Sequence, residues 1–120
     1  MSFLAHLQGV VSQVDGALAC SVMGFDGIPV ETFQDEAAAD LDLSTTWVEY
    51  AAVLAQLKNA APLLKTGGVA EVSVNTEKLI TVMRLVSPDY FVVLALRPDG
   101  NYGKGRYALR IAAPKIRAEL

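Results

Sequence analysis

Few residues in this chain of 120 have the chemistry for catalysis, and their spacing decides against most of it. The sole histidine, His6, has no HExxH context and no second histidine to complete a metal site, so a surface position on a helix is expected for it. A serine–histidine–acid arrangement would have to use that same residue, and no GxSxG elbow accompanies it. The sole cysteine, Cys20, sits among apolar neighbours without a base nearby, where a thiol behaves as a small buried hydrophobe. GNYGKG (100–105) has glycines that would let backbone amides approach a phosphate. Its spacing is G-x-x-G-x-G, however, and Lys104 precedes a glycine rather than a magnesium-holding serine or threonine. The segment is expected instead to be a flexible strand-to-helix connection whose glycines take positive φ. The acidic pairs Asp35-Glu36 and Asp40/Asp42 follow no metal-loop pattern and are expected to be solvated. No catalytic residue, metal site or cofactor is therefore expected.

Composition limits the remaining classes. With 52% hydrophobic and 19% charged residues, the chain carries more apolar surface than one small domain readily hides, which predicts a second subunit covering part of it. A lone thiol rules out an intramolecular disulfide framework and favours a reducing compartment. MSFLAHLQGVV lacks a basic flank and no apolar run approaches the roughly 18 residues of a membrane span, so a cytoplasmic protein without membrane insertion is expected. The net charge of −3 hides an asymmetry: residues 1–60 hold eight acids and one base, Lys58, whereas residues 61–120 hold five acids and nine bases. Five of the ten bases (Lys104, Arg106, Arg110, Lys115 and Arg117) fall in the last seventeen residues. They read either as the solvated face of a terminal helix or as a patch that meets an acidic partner. The strands offer Val, Leu and Ile rather than aromatics interleaved with bases, so nucleic acid is not an expected partner.

The elements follow from periodicity. Phe3, Leu4, Leu7, Val10, Val11 and Val14 recur at three- and four-residue steps, predicting a first helix capped by Ser2 and stopped at VDG (14–16). ALACSVM (17–23) and IPVETF (28–33) predict two strands, with Pro29 placing the second at a sheet edge or the proline at the strand start. QDEAAADLD reads as a loop. From Leu43 the longest helix is predicted, capped by Ser44 or Thr45 and ended by Pro62 and Gly67-Gly68. Trp47, Tyr50, Ala51, Leu54, Leu57, Ala61 and Leu64 form its main stripe. Val48, Ala52 and Ala55 form a second stripe that one core does not need, and these three are the predicted dimer contact, where small residues let a neighbouring helix come close. VAEVSV (69–74), KLITVMRLV (78–86) and YFVVLALR (90–97) predict an antiparallel meander. GKGRYALRIAAPKIRAEL predicts a last helix kinked or restarted at Pro114. The whole, 1–120, is one α+β domain of order α-β-β-α-β-β-β-α.

GFDGIPV (24–30) stands out because Phe25 and Ile28 flank an Asp-Gly turn where water is expected. A two-residue type I′ turn, with Asp26 and Gly27 at positive φ, would set Phe25 opposite Ile28 at the hairpin tip. Apolar side chains at such a tip are kept where a partner buries them. Phe25 and Ile28 are accordingly predicted to insert into an apolar groove of a partner while Asp26 offers a carboxylate to a base there. The competing expectation is a local cluster, with Phe25 folded back on Pro29 or the first helix. All three positions lie outside the predicted core stripes, so truncating them is expected to spare the fold.

The order of elements resembles the roadblock/dynein light chain family across almost the whole chain, with GFDGIPVETF after the first strand, the long Trp47 helix, and NYGKGRYALRIAAPKI opening the last helix. Within that family VSQVDGALACSVMGFDGIPVE and RLVSPDYFVVLALRPDGNYGKGRYALR look closest to the small bacterial polarity proteins. The resemblance implies a five-stranded antiparallel sheet with helices packed on it, dimerising through a sheet edge and paired second helices. It also implies a non-enzymatic adaptor or regulator of a Ras-like small GTPase, concentrated at cell poles. The implied partners are a roadblock protein of the MglB type and an MglA-like GTPase, met directly or through that protein. An extended tail of the sort found in plain MglB-like proteins is not expected beyond Leu120, and an adaptor is accordingly expected rather than a direct stimulator of GTP hydrolysis. The alternative, a small-ligand sensor of PAS or profilin-like shape, needs convergent polar groups in an enclosed pocket, and the inward strand positions supply few.

Overall fold

Alternation along the central strands makes a sheet with two apolar faces, and the three helices divide between them. The computed structural model describes residues 2–120. In chain order the elements are α1 (Phe3–Gln13), β1 (Ala17–Gly24), β2 (Pro29–Gln34), a 3₁₀ turn at Glu36–Ala38, α2 (Leu43–Leu64), β3 (Glu71–Asn75), β4 (Ile80–Leu85), β5 (Tyr90–Leu96) and α3 (Tyr102–Arg117). The five strands form one antiparallel sheet in the order β2-β1-β5-β4-β3. This confirms the α+β class, and Pro29 opens an edge strand as its missing N–H requires.

The face covered by α1 and α3 buries Leu7, Val10, Leu109 and Ile116 against Cys20, Val22, Val82, Val92, Leu94 and Leu96. The opposite face is covered by α2, whose Trp47, Ala51 and Leu54 pack on Met23, Met83, Phe91, Val93 and Ala95. Along β5 successive residues from Phe91 to Leu96 therefore belong to alternate layers, as a two-sided sheet demands. In β1 the alternation slips: the register against β5 shifts between Ala17 and Ala19, and Leu18 and Ala19 both join the α2 layer. Burial pushes the Cys20 thiol far above its ordinary range, consistent with an inert core position.

Several local expectations are corrected. The α2 cap is Asp42, whose carboxylate accepts from the Thr45 amide (3.3 Å), the Thr45 hydroxyl (2.8 Å) and the Ser44 hydroxyl (3.1 Å). Ser44 and Thr45 are thus the donors that hold the cap. Pro62 lies inside the last turn of α2, and the helix ends where Lys65 takes a left-handed conformation (φ 56°). Pro114 lies within an unbroken α3. His6 is half-buried rather than freely exposed: its side chain is 10% exposed and its Nε2 lies 3.7 Å from Glu119.

The glycines of GNYGKG also act differently from expectation, since none has positive φ. Gly103 and Gly105 are inside α3, and a Cβ on Gly105 would come within 3.1 Å of Leu94 Cδ2, so glycine there lets the helix lie close on the sheet. Gly100 meets the turn between α1 and β1. Arg97 N–H donates to Gly16 O and Asn101 N–H to Asp15 O, each at 2.8 Å, and a Cβ on Gly16 (φ +84°) would sit 2.5 Å from Gly100 Cα. Two backbones crossing this closely tolerate no side chain between them.

Candidate interaction site at the hairpin tip

The β1–β2 turn is built differently from a type I′ hairpin. Gly27 N–H donates to Gly24 O (3.0 Å), Gly24 N–H donates to Ile28 O (3.0 Å), and only Gly27 has positive φ (+86°). This is a three-residue loop, a turn over Phe25-Asp26 followed by a left-handed glycine, rather than the two-residue turn expected. Asp26 Oδ1 accepts from Ile28 N–H at 3.0 Å and holds the loop closed from its own side chain.

The extra residue changes where the side chains go. Phe25 and Ile28 are not an opposed pair. Phe25 turns inward, half-buried, with its ring 5.3 Å from that of Phe91, and so packs on the α2 layer rather than on Pro29 or α1. Lys58 Nζ lies over the Phe25 ring, 4.7 Å from its centroid, and also donates to Pro88 O in the β4–β5 turn. Ile28 points outward and is 65% exposed, with Val30 beside it at 44%. Asp26 is exposed. Between the hairpin tip and Pro88-Asp89-Tyr90 lies an open cleft of about 400 Å³, floored by Phe25 and Lys58 and rimmed by Ile28 and Val30.

Phe25, Asp26 and Ile28 therefore share one site, but with divided roles: Phe25 anchors the tip, while Asp26 and Ile28 are presented. Periodicity and motif spacing do not point to Lys58 as part of this site, and the only signal for it is that it is the sole base in the first sixty residues. Of the second patch, Val48 is 46% exposed, Ala52 is exposed and Ala55 is half-buried, on the side of α2 away from the sheet. Val53 (50%) and Leu57 (42%) are also exposed, but on the opposite flank of α2, where Leu57 lines a cleft with Val69 and Val72 at β3. The two patches adjoin. A Cβ on Gly27 would lie 3.4 Å from the Val48 methyls, so the hairpin tip rests against α2 at the top of its outer stripe.

Chemically the site offers apolar side chains with one carboxylate at the tip and one amine in the cleft behind it. No group of three or more possible metal ligands occurs among the described residues. The sheet carries one helix layer on each side, with the β1–β2 hairpin tip exposed at one end. No protein-family model and no curated protein matches the sequence. Solved structures do. MglC from Myxococcus xanthus is 71% identical over 100% of both chains, with a TM-score of 0.73. A roadblock/LC7 domain from Streptomyces avermitilis (12% identity, 99% of this chain and 98% of that one, TM-score 0.82) shares the fold. So does the gliding protein MglB from Thermus thermophilus (18% identity, 97% and 88%, TM-score 0.82). The chain belongs to the roadblock family. Within it, the chain is an MglC-like member.

Proposed function

We propose that this MglC-like chain is a non-enzymatic adaptor in a Ras-like small-GTPase polarity or motility system. It acts as a homodimer paired through Val48, Ala52 and Ala55 of α2 and a sheet edge. It binds an MglB-type roadblock protein through Asp26 and Ile28, and engages the MglA-like GTPase directly or through that protein. The observation that carries this reading is the hairpin tip: a large aliphatic side chain 65% exposed beside an exposed carboxylate, on a turn braced from behind by Phe25, Phe91 and Lys58. A braced tip costs little entropy on binding, which suits a protein-protein hot spot. The 71% identity to MglC over the full length supports membership of the Mgl system.

The test is capture of the purified MglB-type protein from the same genome by wild type and by an Asp26→Asn/Ile28→Ala double variant. Both positions are exposed, so the variant is expected to fold, dimerise and melt like wild type while losing about 2 kcal/mol or more of binding. A folded double variant of unaltered affinity would move the partner site elsewhere.

A further inference from the structure

At the β3 edge, on the α3 side of the sheet, a second cleft of about 320 Å³ is lined by Glu71, Arg84, Gly103, Arg106, Tyr107 and Arg110. It shares no residue with the hairpin-tip cleft. Glu71 and Arg84 are cross-strand partners on β3 and β4, and Arg106 and Arg110 stand one turn apart on α3. Glu71 is the central brace: its Oε2 accepts from Arg106 Nε at 2.7 Å and its Oε1 lies 3.5 Å from Arg84. One carboxylate thus serves two guanidiniums, and Arg110 has no ion pair among the described residues. Its guanidinium lies 5.5 Å from the Tyr107 ring, with Lys104 Nζ 5.9 Å from the same ring. Three arginines against one glutamate leave the cleft with a formal charge of +2 in a protein whose total is −3.

We infer that this cleft is a docking site for an acidic segment of a protein partner, taking a carboxylate side chain between Arg84 and Arg110 in continuation of the Glu71 brace. The guanidinium fork matches a planar carboxylate, and Glu71 holds two forks in place before the ligand arrives. A peptide fits better than a free ion because Tyr107, which lines the cleft and is 50% exposed, offers apolar contact to the residues that flank the carboxylate. Glu71 also disfavours a dianion at the bottom of the cleft. The site therefore selects single carboxylates carried on a chain.

The probe is a rhodamine-labelled hexaglutamate peptide, followed by fluorescence anisotropy against the full chain at low ionic strength. Saturable binding is expected, weakened by added salt. Arg110→Gln, at an exposed position outside any ion pair, should fold as wild type and weaken the peptide about tenfold, in the range of a lost charged interface contact. Lys115→Gln removes the same charge from the α1–α3 cleft and should leave affinity unchanged. Absence of binding to wild type, or equal losses in the two variants, overturns the inference. Displacement of the peptide by inorganic phosphate at matched anionic charge overturns it in favour of a simple oxyanion site.

Discussion

Phe25 shows how one residue's role depends on a single backbone angle. In a two-residue turn it would face Ile28 at the tip. In the three-residue turn observed, with Gly27 alone left-handed, it is swung onto Phe91 and under Lys58. Phe25→Ala should therefore do what Ile28→Ala does not. Removing a half-buried ring from a packed aromatic pair should lower unfolding free energy by about 1–2 kcal/mol, whereas truncating an exposed isoleucine should stay within about 0.5 kcal/mol. Urea denaturation of the two single variants distinguishes them. Equal, negligible effects would mean that the ring contributes nothing to the tip. Where Phe25→Ala alone is destabilised, a loss of partner binding in that variant reports the posture of the tip rather than a contact. The Asp-Gly pair makes a tight turn legible in the sequence, but not its length. That is settled by which amide Gly24 O accepts from, and the Phe91 ring that rewards the longer loop lies 66 positions away.

Among the elements, the strongly periodic ones are readable from sequence: α1, β5 and the long α2 fall within two residues of their expected limits, because alternation or three-and-four spacing leaves few other solutions. Caps and helix starts are less so. Asp42, Ser44 and Thr45 are all good N-cap types, and only the hydrogen bonds show that the first accepts from the other two. The start of α3 misleads because Gly103 and Gly105 argue locally for a loop, while the reason for Gly105 is Leu94 on the sheet beneath. The Asp42 cap has a pH signature. Three hydrogen bonds to its charged form hold its pKa below the ordinary 3.8. The unfolded chain therefore takes up a proton before the folded one as pH falls. The cap's contribution is complete above that value, declines as pH drops through it, and is lost below the folded pKa. Thermal melts over this acidic range should show a falling midpoint in wild type. Asp42→Asn keeps a capping oxygen but cannot titrate, so its midpoint should fall less steeply. Parallel slopes would remove Asp42 from the account of acid stability.

At the scale of the whole molecule, part of the apolar surplus evident in the composition is exposed along α2: Val53 and Leu57 on one flank, and on the other Val48, beside Ala52 and Ala55. Ala52→Glu tests whether this surface pairs. In an isolated chain the position is exposed, so a glutamate should cost little. Across a paired helix it would bury an unpartnered charge at several kcal/mol. Sedimentation velocity should show a folded monomer, and a dimer that survives the substitution would place the interface off this helix. Because Gly27 abuts Val48, pairing through α2 would also set each hairpin tip beside the dimer seam. Ile28 from each subunit would then be offered to one partner surface.

Trp47 is the chain's only tryptophan, and it is 4% exposed inside the α2 layer with no acceptor for its indole N–H among the described residues. An indole shielded from water emits at shorter wavelength than a hydrated one, so the tryptophan emission of this protein, excited selectively beyond the tyrosine absorption, is a signal from one layer. Far-ultraviolet circular dichroism averages over every helix and strand. Coincident transitions by the two methods would show both layers melting as a unit. A red shift that precedes the loss of ellipticity would show α2 lifting away while α1, α3 and the sheet remain. The protein thus carries a native optical reporter in the layer through which it is proposed to dimerise, and no label is needed to watch that layer open.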